Sequence, residues 1–92
     1  MAVYELTCVF SPELSDNKKL IKKVEEWVKK IGGKVKKKEV WGKKELAYRI
    51  KKFDQGVYVF WQLEVEASKI NDLPRKIELE DDIIRHLLVR ID

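Results

Sequence analysis

The chain has few of the residues on which metal, redox and acid–base chemistry depends. Its 92 residues include one cysteine, one histidine, two prolines and four glycines. Because Cys8 stands alone, an intramolecular disulfide and a paired-cysteine metal or redox site are excluded. His86 has no second histidine or cysteine with which to complete a zinc site. Cys8 is therefore expected to be a buried, inert thiol, and His86 a half-exposed structural residue.

The chain also lacks long apolar runs and the signatures of an enzyme. No stretch approaches the length of a membrane span, and the N-terminus has no basic region followed by an apolar core, so the expected compartment is the cytoplasm. Residues 11–17 offer neither an arginine nor a glycine cradle for a phosphate. Asp81 and Asp82 are adjacent, so they point in different directions and suit a turn better than a catalytic pair. We expect no catalysis, no cofactor, no metal and no small-molecule substrate.

Positive charge is concentrated in one segment. Residues 34–52 hold nine basic and two acidic residues, a local charge of +7; because the whole chain carries +4, the other 73 residues carry −3. The basic residues are Lys34, Lys36, Lys37, Lys38, Lys43, Lys44, Arg49, Lys51 and Lys52. Clustered cations favour a polyanion as partner, since phosphates release counterions when lysines bind them. The alternative is a solvated edge strand whose lysines discourage aggregation.

The first half of the chain predicts a strand, a helix and a long faulted strand. Residues 1–10 alternate, with one wholly apolar face. Residues 17–31 have a helical period, so we expect a helix capped by Ser15 or Asp16 and ended by Gly32 and Gly33. Residues 34–50 predict one long strand. Its apolar positions change parity near Gly42, which predicts a bulge or sharp bend there.

The second half predicts strand, helix and strand. Residues 57–66 alternate most clearly, after a hairpin loop over 51–56 whose turn residues are 54–56. A second helix begins either after Ser68, as its cap, or at Asp72, which would place Pro74 in the first turn. Residues 83–91 form the last strand. This order predicts one domain over 1–92 of the α+β class, a split β-α-β (ferredoxin-like) sandwich whose four-stranded antiparallel sheet has both helices on one face and the other uncovered.

An uncovered sheet face with aromatic residues is how RNA-recognition motifs stack bases. Their third strand carries aromatic residues one and three positions after a glycine. After Gly56 these positions hold Val57 and Val59, whereas Tyr58 and Phe60 come one residue late. The registration departs from that motif. Tyr58 and Phe60 are then either core residues or part of a protein interface.

Residues 41–50, Trp-Gly-Lys-Lys-Glu-Leu-Ala-Tyr-Arg-Ile, resemble the second-strand motif of the sixth protein of the bacterial small ribosomal subunit. The resemblance extends over nearly the whole chain, including residues 4–6, 11–15, 82–85 and 88–90. The fold of that family is the one predicted above. The resemblance implies a non-catalytic assembly protein of the cytoplasmic ribosome. Such a protein binds the central domain of small-subunit ribosomal RNA as a heterodimer with the eighteenth small-subunit protein.

The resemblance and the charge together give the expected site. By position in the motifs, Lys43 and Lys44 are implied to contact phosphates. The full set of residues expected to bind RNA is Lys43, Lys44, Tyr48, Arg49, Lys51, Lys52, Arg85 and Arg90. The partner protein is expected to dock on the open sheet face at Tyr58, Phe60 and Trp41. Two other readings stay open: an interaction module without RNA, and a sequence-tolerant binder of single-stranded RNA.

Overall fold

The computed structural model describes all 92 residues, and its elements follow the predicted order. The strands are β1 (Ala2–Phe10), β2 (Lys34–Ile50), β3 (Phe53–Val65) and β4 (Ile83–Arg90), and the helices are α1 (Asn17–Lys30) and α2 (Asp72–Glu78). The strands form one antiparallel sheet in the order β2-β3-β1-β4. The predicted split β-α-β sandwich is confirmed. β2 and β4 are its two edge strands.

The core lies between the helices and one face of the sheet. Leu6 of β1 and Trp61 of β3 are opposite each other in register and fully buried. Val24 of α1 and Leu73 of α2 are buried in the same cluster, so both helices cover this face. Burial of each such side chain stabilises the fold by about 1.5–3 kcal/mol. Neither helix has the length and hydrophobicity that a membrane crossing requires. We call the opposite side of the sheet the open face.

Helix α1 is bounded by the predicted type of residue at each end. Asp16 is the N-cap, and its carboxylate accepts a hydrogen bond of 3.1 Å from the amide of Lys18. At the other end Gly32 takes a φ of 78°, and the amide of Gly33 donates to the carbonyl of Val28 at 2.9 Å. This is the Schellman arrangement, which satisfies carbonyls that the helix leaves free. Of the two predicted caps, Asp16 is the one used.

Helix α2 adopts the second of the two predicted starts. It begins at Asp72, so Pro74 lies in the first turn, where its missing amide hydrogen costs nothing. Residues 67–71 form turns, and Ser68 lies outside the helix. Leu73 and Ile77 are the residues that α2 buries. Their four-residue spacing places both on one side of this short helix.

β2 runs over the predicted residues 34–50 but contains three register faults where one was expected. The fault between Val40 and Gly42 is the predicted one, and Gly42 has a φ of 82°. The other two lie between Val35 and Lys37 and between Glu45 and Ile50. Each fault inserts residues without a partner and turns the side chains that follow.

The predicted hairpin loop over 51–56 is wrong. The turn is Lys51 and Lys52 alone, and residues 54–56 belong to β3. Lys51 supplies the positive φ, 55°, that the tight turn needs. Gly56 serves another purpose: a Cβ there would lie 2.3 Å from Cγ1 of Val9. The glycine therefore leaves room for the side chain of Val9, and its position after Asp54 and Gln55 does not mark a turn.

Alanine at the two glycines of the hairpin should separate steric from backbone effects. Gly56→Ala is expected to lower the free energy of unfolding by about 1–3 kcal/mol through overpacking against Val9. Gly42→Ala meets no atom within 4 Å and should cost about 1–2 kcal/mol through its left-handed backbone alone. Urea denaturation measures both. Val9→Ala should relieve the cost of Gly56→Ala and leave that of Gly42→Ala unchanged; additive costs at Gly56 would contradict the steric cause.

Cys8 is fully buried, as expected, and burial raises the pKa of its thiol from 9.0 to about 12. The native state therefore holds this proton to a higher pH than the unfolded state does. The resulting stabilisation is complete below pH 9.0 and is lost as the pH rises toward about 12.

We expect the loss of stability between pH 9 and about 10.5 to be smaller in Cys8→Ala than in the original chain, by about 2 kcal/mol. Urea denaturation at the two pH values measures it. Equal losses in both proteins would mean that Cys8 ionises as readily in the folded state as in the unfolded one.

Candidate nucleic-acid interface

The nine basic residues of the 34–52 segment fall into two groups in the structure. Three of them form ion pairs with carboxylates: Lys36 with Glu64 at 3.6 Å, Lys37 with Glu39 at 2.9 Å, and Lys38 with Glu25 at 3.3 Å. The six with no carboxylate within 4.0 Å are Lys34, Lys43, Lys44, Arg49, Lys51 and Lys52. The unpaired group is therefore available to an external anion.

Five of the six unpaired cations lie on the β2–β3 hairpin beyond the Gly42 bend, and all five are exposed. We call them the hairpin cations: Lys43, Lys44, Arg49, Lys51 and Lys52. They are the basic members of the hairpin part of the predicted RNA-binding set, which also includes Tyr48. The same stretch also has exposed Glu45 and Asp54. Because the five cations outnumber these two carboxylates, the net charge of the stretch stays positive.

Lys43 and Lys44 project from opposite faces of the edge strand. Lys43 is in register with Val57, which faces the core, and Lys44 with Gly56 on the open-face side. The ammonium of Lys44 accordingly lies 5.8 Å from the ring centroid of Trp41. A polyanion that contacts both lysines must run along the edge of the sheet. Lysine ammonium groups are point charges that suit a phosphate partner and carry no information about base sequence.

Tyr48 and Arg85, both predicted to bind RNA, contact each other. Nη1 of Arg85 donates a hydrogen bond to Oη of Tyr48, and the guanidinium lies 5.5 Å from the centroid of the tyrosine ring. Residues of β2 therefore cross the sheet to reach β4. The open face was expected to be uncovered, but these residues cover one end of it. Arg90 lies near the other end of β4 and pairs with Asp92 at 3.0 Å. The predicted set is thus split between the hairpin and the far edge.

The predicted partner-docking residues do lie together on the open face. Trp41 is stacked on Phe60, with centroids 5.6 Å apart, and on Tyr58 at 6.5 Å. We call Trp41, Tyr58 and Phe60 the aromatic cluster. Trp41 is its exposed member, with 44% of its surface accessible, and Tyr58 and Phe60 beneath it are half-buried. Its Nε1 donates to Oε1 of Glu39 at 2.9 Å, and this bond, followed by that from Lys37, holds the pKa of the Glu39 carboxyl below its ordinary value.

Two apolar residues of the open face escaped the sequence prediction. Leu87 is 62% exposed and Val89 43%, both on β4. Leu88, between them, is in register with buried Leu6 and so faces the core. The alternation of β4 could have identified them, because successive side chains in a strand point to opposite faces, so Leu87 and Val89 face away from the core that Leu88 faces. Together with the aromatic cluster they give this face an exposed apolar character.

The arrangement lacks the paired aromatic platform of an RNA-recognition motif. Tyr4, the one aromatic residue that β1 could contribute besides Phe10, is buried in the core, as is Phe10. The open face of β1 carries instead Val3, Glu5 and Thr7. Base stacking across two central strands therefore has no support on β1. No group of three or more His, Cys, Asp or Glu side chains is placed to hold a metal ion.

Comparison with known proteins gives one consistent result. A family model described as Ribosomal protein S6 matches residues 3–90. The small ribosomal subunit protein bS6 of Desulforamulus reducens is 36% identical over 92 residues, covering 98% of this chain and 97% of that protein. The bS6 protein of Dictyoglomus turgidum is 33% identical over 94 residues, covering 100% and 97%. The crystal structure of 30S ribosomal protein S6 from Thermotoga maritima superimposes with a TM-score of 0.92 at 25% identity, covering 98% of this chain and 87% of that one.

Proposed function

The chain belongs to the ribosomal protein S6 family of the small ribosomal subunit, and from this membership we propose that it binds small-subunit ribosomal RNA together with the eighteenth small-subunit protein. The family consists of structural components of the cytoplasmic bacterial ribosome, not enzymes. We further propose that residues 1–92 act as one ribosomal-protein domain. The RNA would be its central domain, met during assembly of the subunit.

The observation that carries the RNA-binding proposal is the group of hairpin cations. They are exposed and have no carboxylate partner, whereas the other lysines of β2 except Lys34 are held in ion pairs. Neutralising phosphates releases counterions, and this gives affinity without a requirement for base sequence. Specificity would then come from the shape of the folded RNA, which runs along the β2 edge, and from the partner protein.

The partner would dock on the open face, at Tyr58, Phe60 and Trp41, with Leu87 and Val89 as further contacts. Exposed aromatic and branched side chains favour a protein partner because their burial is the main source of affinity in such interfaces. The indole of Trp41 is fixed by its hydrogen bond to Glu39 and by the two rings beneath it. A fixed side chain loses little conformational entropy on binding.

Two measurements test the proposal. The tagged protein should co-purify with small ribosomal subunits from its own cell. The purified chain should bind a structured three-way-junction RNA from the central domain, more tightly with the eighteenth protein present. Absence of RNA affinity at low salt would contradict the proposal and favour an interaction module. Tight binding to short unstructured RNA, lost in Phe60→Ala, would favour a single-strand binder instead.

A further inference from the structure

One segment of β2 leaves the sheet and covers part of the open face. Residues 46–49 have no partner in the register, which passes from Glu45 opposite Gln55 to Ile50 opposite Phe53. We call residues 46–50 the strap. With Thr7, Val9, Tyr58, His86 and Leu87 it lines a partly open cavity of about 220 Å³. Leu46 and Ile50 are only half-buried there, so the strap is less tightly packed than the core.

Residues with a left-handed backbone conformation lie on either side of the strap. Gly42, before it, has a φ of 82°, with no atom within 4 Å of where a Cβ would lie; Lys51, directly after it, has a φ of 55°. Between these points the side-chain hydrogen bond that ties the strap to the sheet is that of Arg85 to Tyr48. Both residues are exposed, so an anion in solution can reach the guanidinium.

We propose that this contact is a latch, and that an RNA phosphate opens it by taking Arg85 from Tyr48. The proposal rests on the proposed function and adds a link between its two binding events. A phosphate binds a guanidinium through charge-assisted, bidentate hydrogen bonds, which are stronger than one bond to a neutral phenol. Release of Tyr48 lets the strap lift, so that buried Val9 and half-buried Tyr58 join the already exposed Leu87 as contacts for an apolar segment of the partner protein.

The latch makes RNA and partner binding mutually reinforcing. RNA favours the open strap, the part of the partner's contact that includes Val9 requires the open strap, and by linkage each raises the affinity for the other by the same factor. One hydrogen bond and one exposed cation–π contact hold the strap, which together support a change of about tenfold in the open population. The expected coupling is therefore about tenfold. It is large enough to order assembly and small enough for either ligand to overcome.

A first experiment tests the latch without any partner. Trypsin cleaves after Arg49, which lies within the strap, and the rate of cleavage at this bond follows the population of the open form. Tyr48→Leu and Arg85→Gln should each raise this rate about tenfold, because each removes both the hydrogen bond and the cation–π contact that hold the strap. Arg90→Gln, an exposed arginine on the same strand that pairs with Asp92, should leave it unchanged. Unaltered cleavage in both latch variants would overturn the proposal.

A second experiment tests the coupling. The affinity for the eighteenth protein is measured with and without the junction RNA. In the original chain RNA should strengthen it about tenfold; in Tyr48→Leu, which keeps Arg85 for the phosphate, it should be high already and gain nothing from RNA. Coupling that persists in Tyr48→Leu would overturn the latch while leaving the proposed function intact. Failure of the original chain to bind either ligand would overturn the proposed function and the coupling with it.

Discussion

Replacing Lys43 and Lys44 by glutamate is expected to weaken binding of the junction RNA by about 100-fold at roughly 0.1 M salt. Each phosphate contact at that concentration contributes roughly tenfold through counterion release, and the substitution removes two contacts. The plot of log affinity against log salt should become shallower by about 1.8, because each lost contact removes about 0.9 from the slope. Filter binding over a salt series measures both quantities.

The matched control is Lys18→Glu with Lys19→Glu. These lysines are also adjacent and exposed, and they lie in the first turn of α1, where a carboxylate is favoured by the helix dipole. The change in net charge is the same, so any general repulsion of RNA appears equally in both double variants. A salt slope unchanged in the β2 variant, or lowered equally in the control, would mean that the hairpin cations are not at the interface.

The fold could be predicted from the sequence because local pattern and tertiary packing agree in most of the chain. The helix boundaries came from residues whose chemistry acts locally, such as Asp16 as a cap and Gly32 at a left-handed position. β2 is the exception. As an edge strand rich in lysine it has little apolar pattern to fix its register. Of its three register faults, only the one at Gly42 changes the alternation of apolar residues in a way that the sequence shows.

The hairpin turn was misplaced because a glycine has more than one use. In residues 54–56 glycine follows aspartate and glutamine, as in many turns, yet Gly56 serves the close approach of Val9. Val9 is 47 residues away in sequence, so no local signal distinguishes the two uses. Lys51 carries the positive φ of the true turn, a conformation for which lysine has no preference.

The candidate site was predictable in its charges but not in its pairings. Counting lysines located the basic segment, but not that Lys36 and Lys38 are paired with Glu64 and Glu25, which lie on other elements. The contact of Arg85 with Tyr48 joins residues 37 positions apart. Such pairs depend on the curl of the hairpin over the sheet, which in turn depends on the register faults. Residue type indicates which groups are charged, and only the fold shows which charges are free.

The largest effect on stability is expected at Trp61, which is fully buried at the centre of the sheet. Its Nε1 donates to Oε2 of Glu25 at 2.9 Å, and the same oxygen pairs with Lys38 at 3.3 Å, so the indole joins the core to α1 and to β2. Trp61→Ala should lower the free energy of unfolding by about 3–5 kcal/mol, from lost burial and the cavity left behind. A domain of this size has only about 5–15 kcal/mol in total.

Two further variants separate the causes of that loss. Trp61→Phe keeps most of the apolar volume and removes the donor to Glu25, whose carboxylate retains Lys38; its cost should be about 1–2 kcal/mol. Trp27→Ala removes an indole that is only half-buried on α1 and should cost less than about 2 kcal/mol. Urea denaturation at neutral pH measures all three. If Trp61→Ala costs no more than Trp27→Ala, the packing of β3 against α1 is not the main source of stability that holds the helices on the sheet.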